Sequence, residues 1–321
     1  MSTPYSEAAG LPVNEAQPIV AFSPVVFDVP GRLVPLELKV TAPVHGERLP
    51  IILLSHGHGA SNFLSSMHGY APVAEFWAAH GFVVVQPTHL DSTALGLQDA
   101  NDPEAPLFWR SRAQDMLFIL DHLADVESAV PLLEGRPDTD SIAVVGHSLG
   151  GHTASLLLGM RTVDPSDGSE VDLADARIKV GVVMTAPGIA DEHSGPALQR
   201  YPVLAGSDFA KMTTPALVIG GDKDLNPVFS TRLSYRWDAY TESPAPKTLL
   251  KFINGEHILG GISGFDNVET TDENPERVAA VRALTWAYLR SALHPEDRAW
   301  PEAVSALENA VQPIATVETK D

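Results

Sequence analysis

No stretch of this chain constrains its fold as strongly as Val144-Val145-Gly146-His147-Ser148-Leu149-Gly150-Gly151-His152. An apolar run from Ser141 to Val145 ends in Gly-His-Ser-Leu-Gly-Gly and opens into Ala154-Ser155-Leu156-Leu157-Leu158. The pattern predicts a strand, a tight turn and a helix, with a serine at the apex, which is the context of a nucleophile elbow. Gly146 and Gly150 leave room for a backbone bent so sharply that a side chain at either place would clash. The turn lifts Ser148 Oγ above the sheet at a helix N-terminus. There, unpaired N–H groups and the helix dipole favour developing negative charge.

Context has to carry that inference. With 24 glycines in 321 residues, Gly-x-Ser-x-Gly arises by chance in about one such chain in ten. The rival readings are an idle serine in a glycine-rich turn and a phosphate-binding loop. A phosphate loop calls for a Lys after the glycines, or for Gly-x-Gly-x-x-Gly with a later ribose-binding acid. Neither is present.

The elements around the elbow alternate. Residues 1–17 are predicted to be a loose N-terminal tail, and 18–321 a single domain. Ile19–Val29 and Leu33–Thr41 read as strands separated by Pro30-Gly31. Ile51–Ser55 is a short continuous apolar run, as expected of a strand buried on both faces. Phe63, Met67, Tyr70, Val73 and Trp77 have helical spacing, and Gly81 precedes the strand Phe82–Val85. Trp109–Val126 is amphipathic. Val180–Met184, Ala216–Ile219 and Thr248–Ile253 are further strands, and the final helix runs from about Pro275 to Leu293. This order predicts an α/β fold with a mostly parallel central sheet and helices on both faces. Ligands then sit at the carboxyl ends of the strands. Residues 161–177 and 186–212 read as loops over that edge.

A serine hydroxyl is a weak nucleophile and needs a base, itself oriented by a third group. Behind an elbow of this kind the order is Ser, acid, His. His257, in Asn254-Gly255-Glu256-His257 directly after a strand, is the predicted base. His294 follows the last helix and reads as solvated, and His193 lies in a loop. The strand Pro215–Gly221 is followed by Asp222-Lys223-Asp224. The spacing favours Asp224 as the acid, with Asp222 as the alternative or as a turn-stabilising side chain. The oxyanion hole calls for the backbone N–H of Leu149, beside the nucleophile, and of His58, in the turn His56-Gly57-His58-Gly59. Phe63, Trp109, Leu149 and Ile258 are the expected apolar pocket walls.

The remaining polar groups have plainer readings. His56 and His58 lack the companions a metal site needs, so no metal and no cofactor is expected. His147 and His152 are expected to pack or to cap the helix. His89 and Asp91 stand where they could border the site. Arg112 and Asp115 read as a structural ion pair or a solvated helix face.

With elbow, acid and histidine placed, the chain resembles the α/β-hydrolase superfamily. Within it the similarity is to the branch of bacterial polyester (cutinase-like) hydrolases, chlorophyllases and dienelactone-hydrolase-like proteins. The pieces that carry it are Ser55-His56-Gly57-His58-Gly59, His80-Gly81-Phe82-Val83-Val84-Val85, the elbow, Thr214-Pro215-Ala216-Leu217 through Asp224, and Phe252–His257. They span roughly residues 45–295. The resemblance implies a serine ester hydrolase and does not fix the substrate; the expected activity is carboxylic ester hydrolysis through an acyl-serine intermediate, on an uncharged, fairly apolar small ester. Lactone or thioester hydrolysis, polyester degradation and a non-catalytic binding role are its alternatives. The departures are specific. The chain has no cysteine, hence neither the disulfide of the secreted polyester hydrolases nor the thiol nucleophile of dienelactone hydrolases. Leu149 stands where chlorophyllases usually have a basic residue.

Composition narrows the partners. Lys plus Arg total 21 against 41 Asp plus Glu, for a net charge of −20. With no basic patch, nucleic acid is a poor partner. No apolar run approaches the length of a membrane span. The N-terminus has no basic segment followed by an apolar one, so a cytoplasmic location is the expectation.

Overall fold

Each central strand is apolar on both faces, and that builds the layers. The computed structural model describes residues 10–264 and 267–321. Its strands in chain order are β1 (Ile19–Phe27), β2 (Leu36–Pro43), β3 (Leu49–Ser55), β4 (Val83–Pro87), β5 (Pro137–His147), the two-residue pair β6 (Thr162–Val163) and β7 (Glu170–Val171), then β8 (Ile178–Met184), β9 (Ala216–Gly221), β10 (Lys247–Phe252) and β11 (Ala315–Lys320). The helices are α1 (Ala71–Ala79), α2 (Trp109–Asp121), α3 (Leu123–Ala129), α4 (Leu149–Leu157), α5 (Ala197–Arg200), α6 (Pro202–Ala205), α7 (Asp238–Thr241), α8 (Pro275–Leu293) and α9 (Ala299–Glu308).

Nine strands form one sheet in the order β1-β2-β4-β3-β5-β8-β9-β10-β11. The six from β4 to β10 are parallel, and β1, β2 and β11 join antiparallel. Successive side chains of a strand point to opposite faces. Ile51, Leu53, Ile142, Val144 and Val218 pack into the core under α2 and α4, while Ile52, Leu54, Ala143, Val145 and Ile219 pack into the core under α1, α8 and α9. Each fully buried Val, Leu or Ile side chain contributes about 1.5–3 kcal/mol over leaving it exposed. Helices therefore cover both faces, and the loops at the strands' carboxyl ends are free to build a site.

Several elements differ from expectation. The helix after β3 begins only at Ala71, because the chain from Ser61 to Gly69 folds into tight turns; a Cβ on Gly69 would sit 1.7 Å from the Phe63 carbonyl oxygen. The Trp109–Val126 helix breaks at His122 into α2 and α3. Beyond α8 the chain adds α9 and then β11, which pairs with β10 and gains a cross-strand ion pair, Lys251–Glu318 at 2.6 Å. The N-terminal tail is not loose from residue 10 onward. Leu11 packs against the core, Asn14 Oδ1 lies 2.7 Å from His80 Nδ1, and the Gln17 N–H donates to the Ala79 carbonyl. Residues 1–9 of that expectation lie outside the described residues.

Candidate active site

The elbow forms where β5 runs into α4. Ser148 has φ 55° and ψ −120°, a conformation non-glycine residues avoid and one that persists only where the surroundings enforce it. Its N–H donates to the Met184 carbonyl of β8 at 2.9 Å. A Cβ on Gly146 would lie 1.9 Å from the Gly150 carbonyl oxygen, and one on Gly150 would lie 2.1 Å from that of Ser55. Only glycine fits at either position, and the bend leaves the Ser148 side chain facing a cavity.

Two neighbouring strand ends deliver its partners. Gly221 of β9 pairs in register with Phe252 of β10, so the loops after them leave the sheet side by side. His257 Nε2 lies 2.9 Å from Ser148 Oγ, and His257 Nδ1 lies 2.8 Å from Asp224 Oδ2. Burial alone would raise the Asp224 pKa, but the charges of His257 and Arg236 outweigh it and hold the group below its usual value. The Arg236 guanidinium lies 3.2 Å from Asp224 Oδ1, and both side chains are buried. An ionised carboxylate only accepts, so His257 Nδ1 carries the hydrogen and Nε2 is left to accept from the serine hydroxyl. Asp222 does something else: its Oδ1 accepts the Asn254 N–H at 2.7 Å and ties the two loops together.

His147 links these parts through a second chain. Its Nε2 lies 2.8 Å from the His257 carbonyl oxygen, and its Nδ1 lies 2.8 Å from the Tyr70 hydroxyl. The Tyr70 oxygen in turn accepts the Gly57 N–H at 2.9 Å. A carbonyl cannot donate, so the His147 hydrogen sits on Nε2 and Tyr70 donates to Nδ1. Burial, then the nearby His257 charge, pushes the His147 pKa down to about 3, so the ring is neutral.

The turn after β3 is braced from below. Arg112, fully buried, donates to the His56 carbonyl, to Ser55 Oγ at 3.2 Å and to Thr153 Oγ1 at 3.1 Å, and it pairs with Asp91. Among the described residues no protein acceptor takes the N–H of His58 or of Leu149. Both residues line the same cavity as Ser148, of about 240 Å³, with Leu107, Tyr201, Leu204 and Phe229 among its walls.

The sequence model of a family described as "Alpha/beta hydrolase family" fits residues 51–319. The chain belongs to that family. It is also similar to platelet-activating factor acetylhydrolase from Bos taurus and from Canis lupus familiaris, 28% identical in each case over 34% of this chain and 31% of the relative. The enzyme of that name from Cavia porcellus is 26% identical with the same coverage. The match spans about a third of the length of these relatives.

Within this alpha/beta hydrolase fold, several expected residues fall elsewhere. Ile258 and Leu149 line the cavity. Phe63 does not: it stands 48% exposed on the turns that replace the expected helix. Trp109 is buried at the start of α2 and borders a separate cavity with Pro103, Pro106 and Val203. His89 is fully buried and does not border the site, and Asp91 lies beneath His58. Arg112 and Asp115 are buried and not paired with each other; Asp91 serves Arg112, and Arg32 serves Asp115 at 2.8 Å. His152 caps nothing: it is buried, and neither ring nitrogen has a partner. Among the described residues no group of three or more His, Cys, Asp or Glu could hold a metal ion, and no helix is long and apolar enough to cross a membrane.

A second serine–histidine–aspartate chain exists in the core. Ser55 Oγ lies 3.0 Å from His89 Nε2, and His89 Nδ1 lies 2.9 Å from Asp115 Oδ2. All three side chains are buried. The distances are close to those at Ser148, but no substrate can reach them. It ties the ends of β3 and β4 to α2.

Proposed function

We propose that this chain is a serine carboxylic ester hydrolase, acting through an acyl-serine on uncharged, fairly apolar small esters. The observation that carries the reading is the chain Ser148 Oγ–His257 Nε2–His257 Nδ1–Asp224 Oδ2, with contacts of 2.9 and 2.8 Å, opening on a largely apolar cavity. Membership of the alpha/beta hydrolase family and the similarity to proteins named acetylhydrolase support it.

Ser148 Oγ attacks the ester carbonyl carbon while His257 Nε2 takes its proton. General-base assistance of this kind contributes about 10²–10⁴-fold. The carbonyl π electrons move to oxygen, and the N–H groups of His58 and Leu149 receive the oxyanion; each such donor is worth about 10²–10³ in kcat. Asp224, kept ionised beside Arg236, stabilises the imidazolium and holds its ring plane. The imidazolium then protonates the departing alcohol, leaving the acyl on Ser148. Water, deprotonated by His257, repeats the sequence in reverse to release the acid.

Ser148→Ala is expected to lower ester turnover by about 10⁴-fold or more, in line with the loss of a nucleophile in other serine hydrolases. The measurement is initial rates on a panel of acyl chain lengths that includes lactones and thioesters, with circular dichroism to show that the variant is folded. Near-wild-type turnover by the folded variant overturns the reading. A profile dominated by lactones or thioesters would redirect the substrate class on the same machinery.

A further inference from the structure

One ionisable pair that the proposed reaction does not use opens onto the same cavity. His58 Nδ1 lies 2.9 Å from Asp91 Oδ2, and the other oxygen of Asp91 is taken by the Arg112 guanidinium. Asp91 is wholly buried. Its burial would raise its pKa, but the Arg112 charge and the His58 hydrogen bond outweigh that and keep it ionised. An ionised carboxylate only accepts, so His58 Nδ1 carries the hydrogen.

The opposite edge of the ring is the open one. The His58 side chain is 28% exposed while Asp91 beneath it is 0% exposed. Among the described residues Nε2 has no hydrogen-bond partner and is not among the buried atoms lacking one. His58 lines the cavity together with Ser148, Leu149 and His257. The cavity therefore meets an imidazole pinned in orientation by a buried ion pair on its far side, and in the tautomer that donates Nδ1–H to Asp91 it is Nε2 that carries the ring's lone pair.

The geometry points to His58 as a specificity-determining residue: Nε2 accepts a hydrogen bond from a hydroxyl carried next to the scissile carbonyl, so hydroxyacyl esters are the favoured class. The inference rests on the ester-hydrolase reading above. The chemistry selects the ligand. A lone-pair acceptor requires a donor, and the oxygens of a simple ester only accept, so the donor is an added group. The smallest neutral one is a hydroxyl. Its position follows from the residue: His58 would give its own backbone N–H to the carbonyl oxygen, which confines the reach of its ring to atoms near that carbonyl.

The test compares ethyl lactate with ethyl propionate, which differ by one hydroxyl, in wild-type protein, His58→Leu and His58→Gln, by pH-stat titration of the released acid. The readout is the ratio of the two kcat/KM values within each protein. The inductive effect of the hydroxyl is common to all three, and partial loss of folded protein cancels in the ratio. One hydrogen bond between partly exposed groups is worth about 1 kcal/mol, so the ratio should fall roughly five- to tenfold in His58→Leu. His58→Gln, whose amide oxygen still accepts, should retain part of it. An unchanged ratio in His58→Leu overturns the inference, even if both rates drop together, because the pair would then only anchor the turn. Turnover of neither ester, nor of any ester in the wider panel, overturns the hydrolase reading and this inference with it.

Discussion

The carbonyl oxygen of His257 lies 2.8 Å from Nε2 of His147, the residue immediately before Ser148. The proposed base is thus tied through its backbone to the strand that presents the nucleophile. The tie continues through the Tyr70 hydroxyl to the Gly57 N–H, beside the proposed oxyanion donor His58. Three strand ends that must hold their spacing for the reaction are joined by one buried chain of three hydrogen bonds.

Tyr70→Phe breaks that chain at its middle. The Gly57 N–H and His147 Nδ1 both lose their partner inside the protein, which costs about 1–3 kcal/mol of stability. A misplacement of about 1 Å at a reacting group lowers rates by about 10². The expected result is a kcat reduced about 10- to 100-fold with KM nearly unchanged, measured by steady-state kinetics beside thermal melting. An unchanged kcat in a destabilised protein would limit the chain to a structural role.

Arg236 is expected to set the acid limb of activity. Asp224 is held below its usual pKa by the His257 and Arg236 charges acting against its burial. For a carboxylate with a depressed folded pKa, the stabilisation is present above the unfolded value and is lost as pH falls through the folded one. Arg236→Met removes the cation beside Asp224 and lets the pKa of that carboxyl rise. The acid limb of kcat/KM should therefore move to higher pH, as read from a rate profile between about pH 4 and 9. An acid limb that stays in place would contradict the assignment of Arg236.

Two buried histidines shape acid stability. Burial pushes His147 and His152 each down to about 3, with the His257 and Arg112 charges respectively adding to it. In the unfolded chain they titrate at about 6.5. As pH falls below about 6.5 the unfolded state binds protons that the folded state refuses, so stability drops continuously towards about pH 3. His152 has no partner at either ring nitrogen. His152→Leu should raise stability near pH 8 by about 1 kcal/mol and shift the acid-unfolding midpoint downward. Chemical denaturation at several pH values measures both, and coincident acid midpoints for the two proteins would contradict it.

What could be read from the sequence, and what could not, follows from where the information lies. Ser148, His257 and Asp224 each follow an apolar run that ends in glycine or a turn. Strand-end grammar is local, and the structure brings the three together. Arg236 and Tyr70 carry no such signal. Arg236 sits in a single-turn helical segment, Leu233–Trp237, and Tyr70 in the turns before α1; both reach the site only through tertiary packing. The cavity walls Tyr201, Leu204 and Phe229 come from the loops and short helices after β8 and β9, where no periodicity marks a face. Phe63 stands away from the cavity because helical spacing continues upstream of Ala71 while the backbone turns. β11 and α9 lie past a polar stretch that resembles a chain end, and β11 is recruited by the open edge of β10.

The most direct test of the central claim is where a fluorophosphonate attaches, mapped by peptide mass spectrometry on folded protein. Two serines have closely similar His and Asp distances, 2.9 and 2.8 Å at Ser148, facing the cavity, and 3.0 and 2.9 Å at Ser55, buried in the core. Activated geometry combined with access predicts a single adduct on Ser148, abolished in Ser148→Ala and greatly slowed in His257→Ala, with Ser55 unmodified. Folded wild-type protein that takes up no label at Ser148, or labels equally well in His257→Ala, would contradict the account.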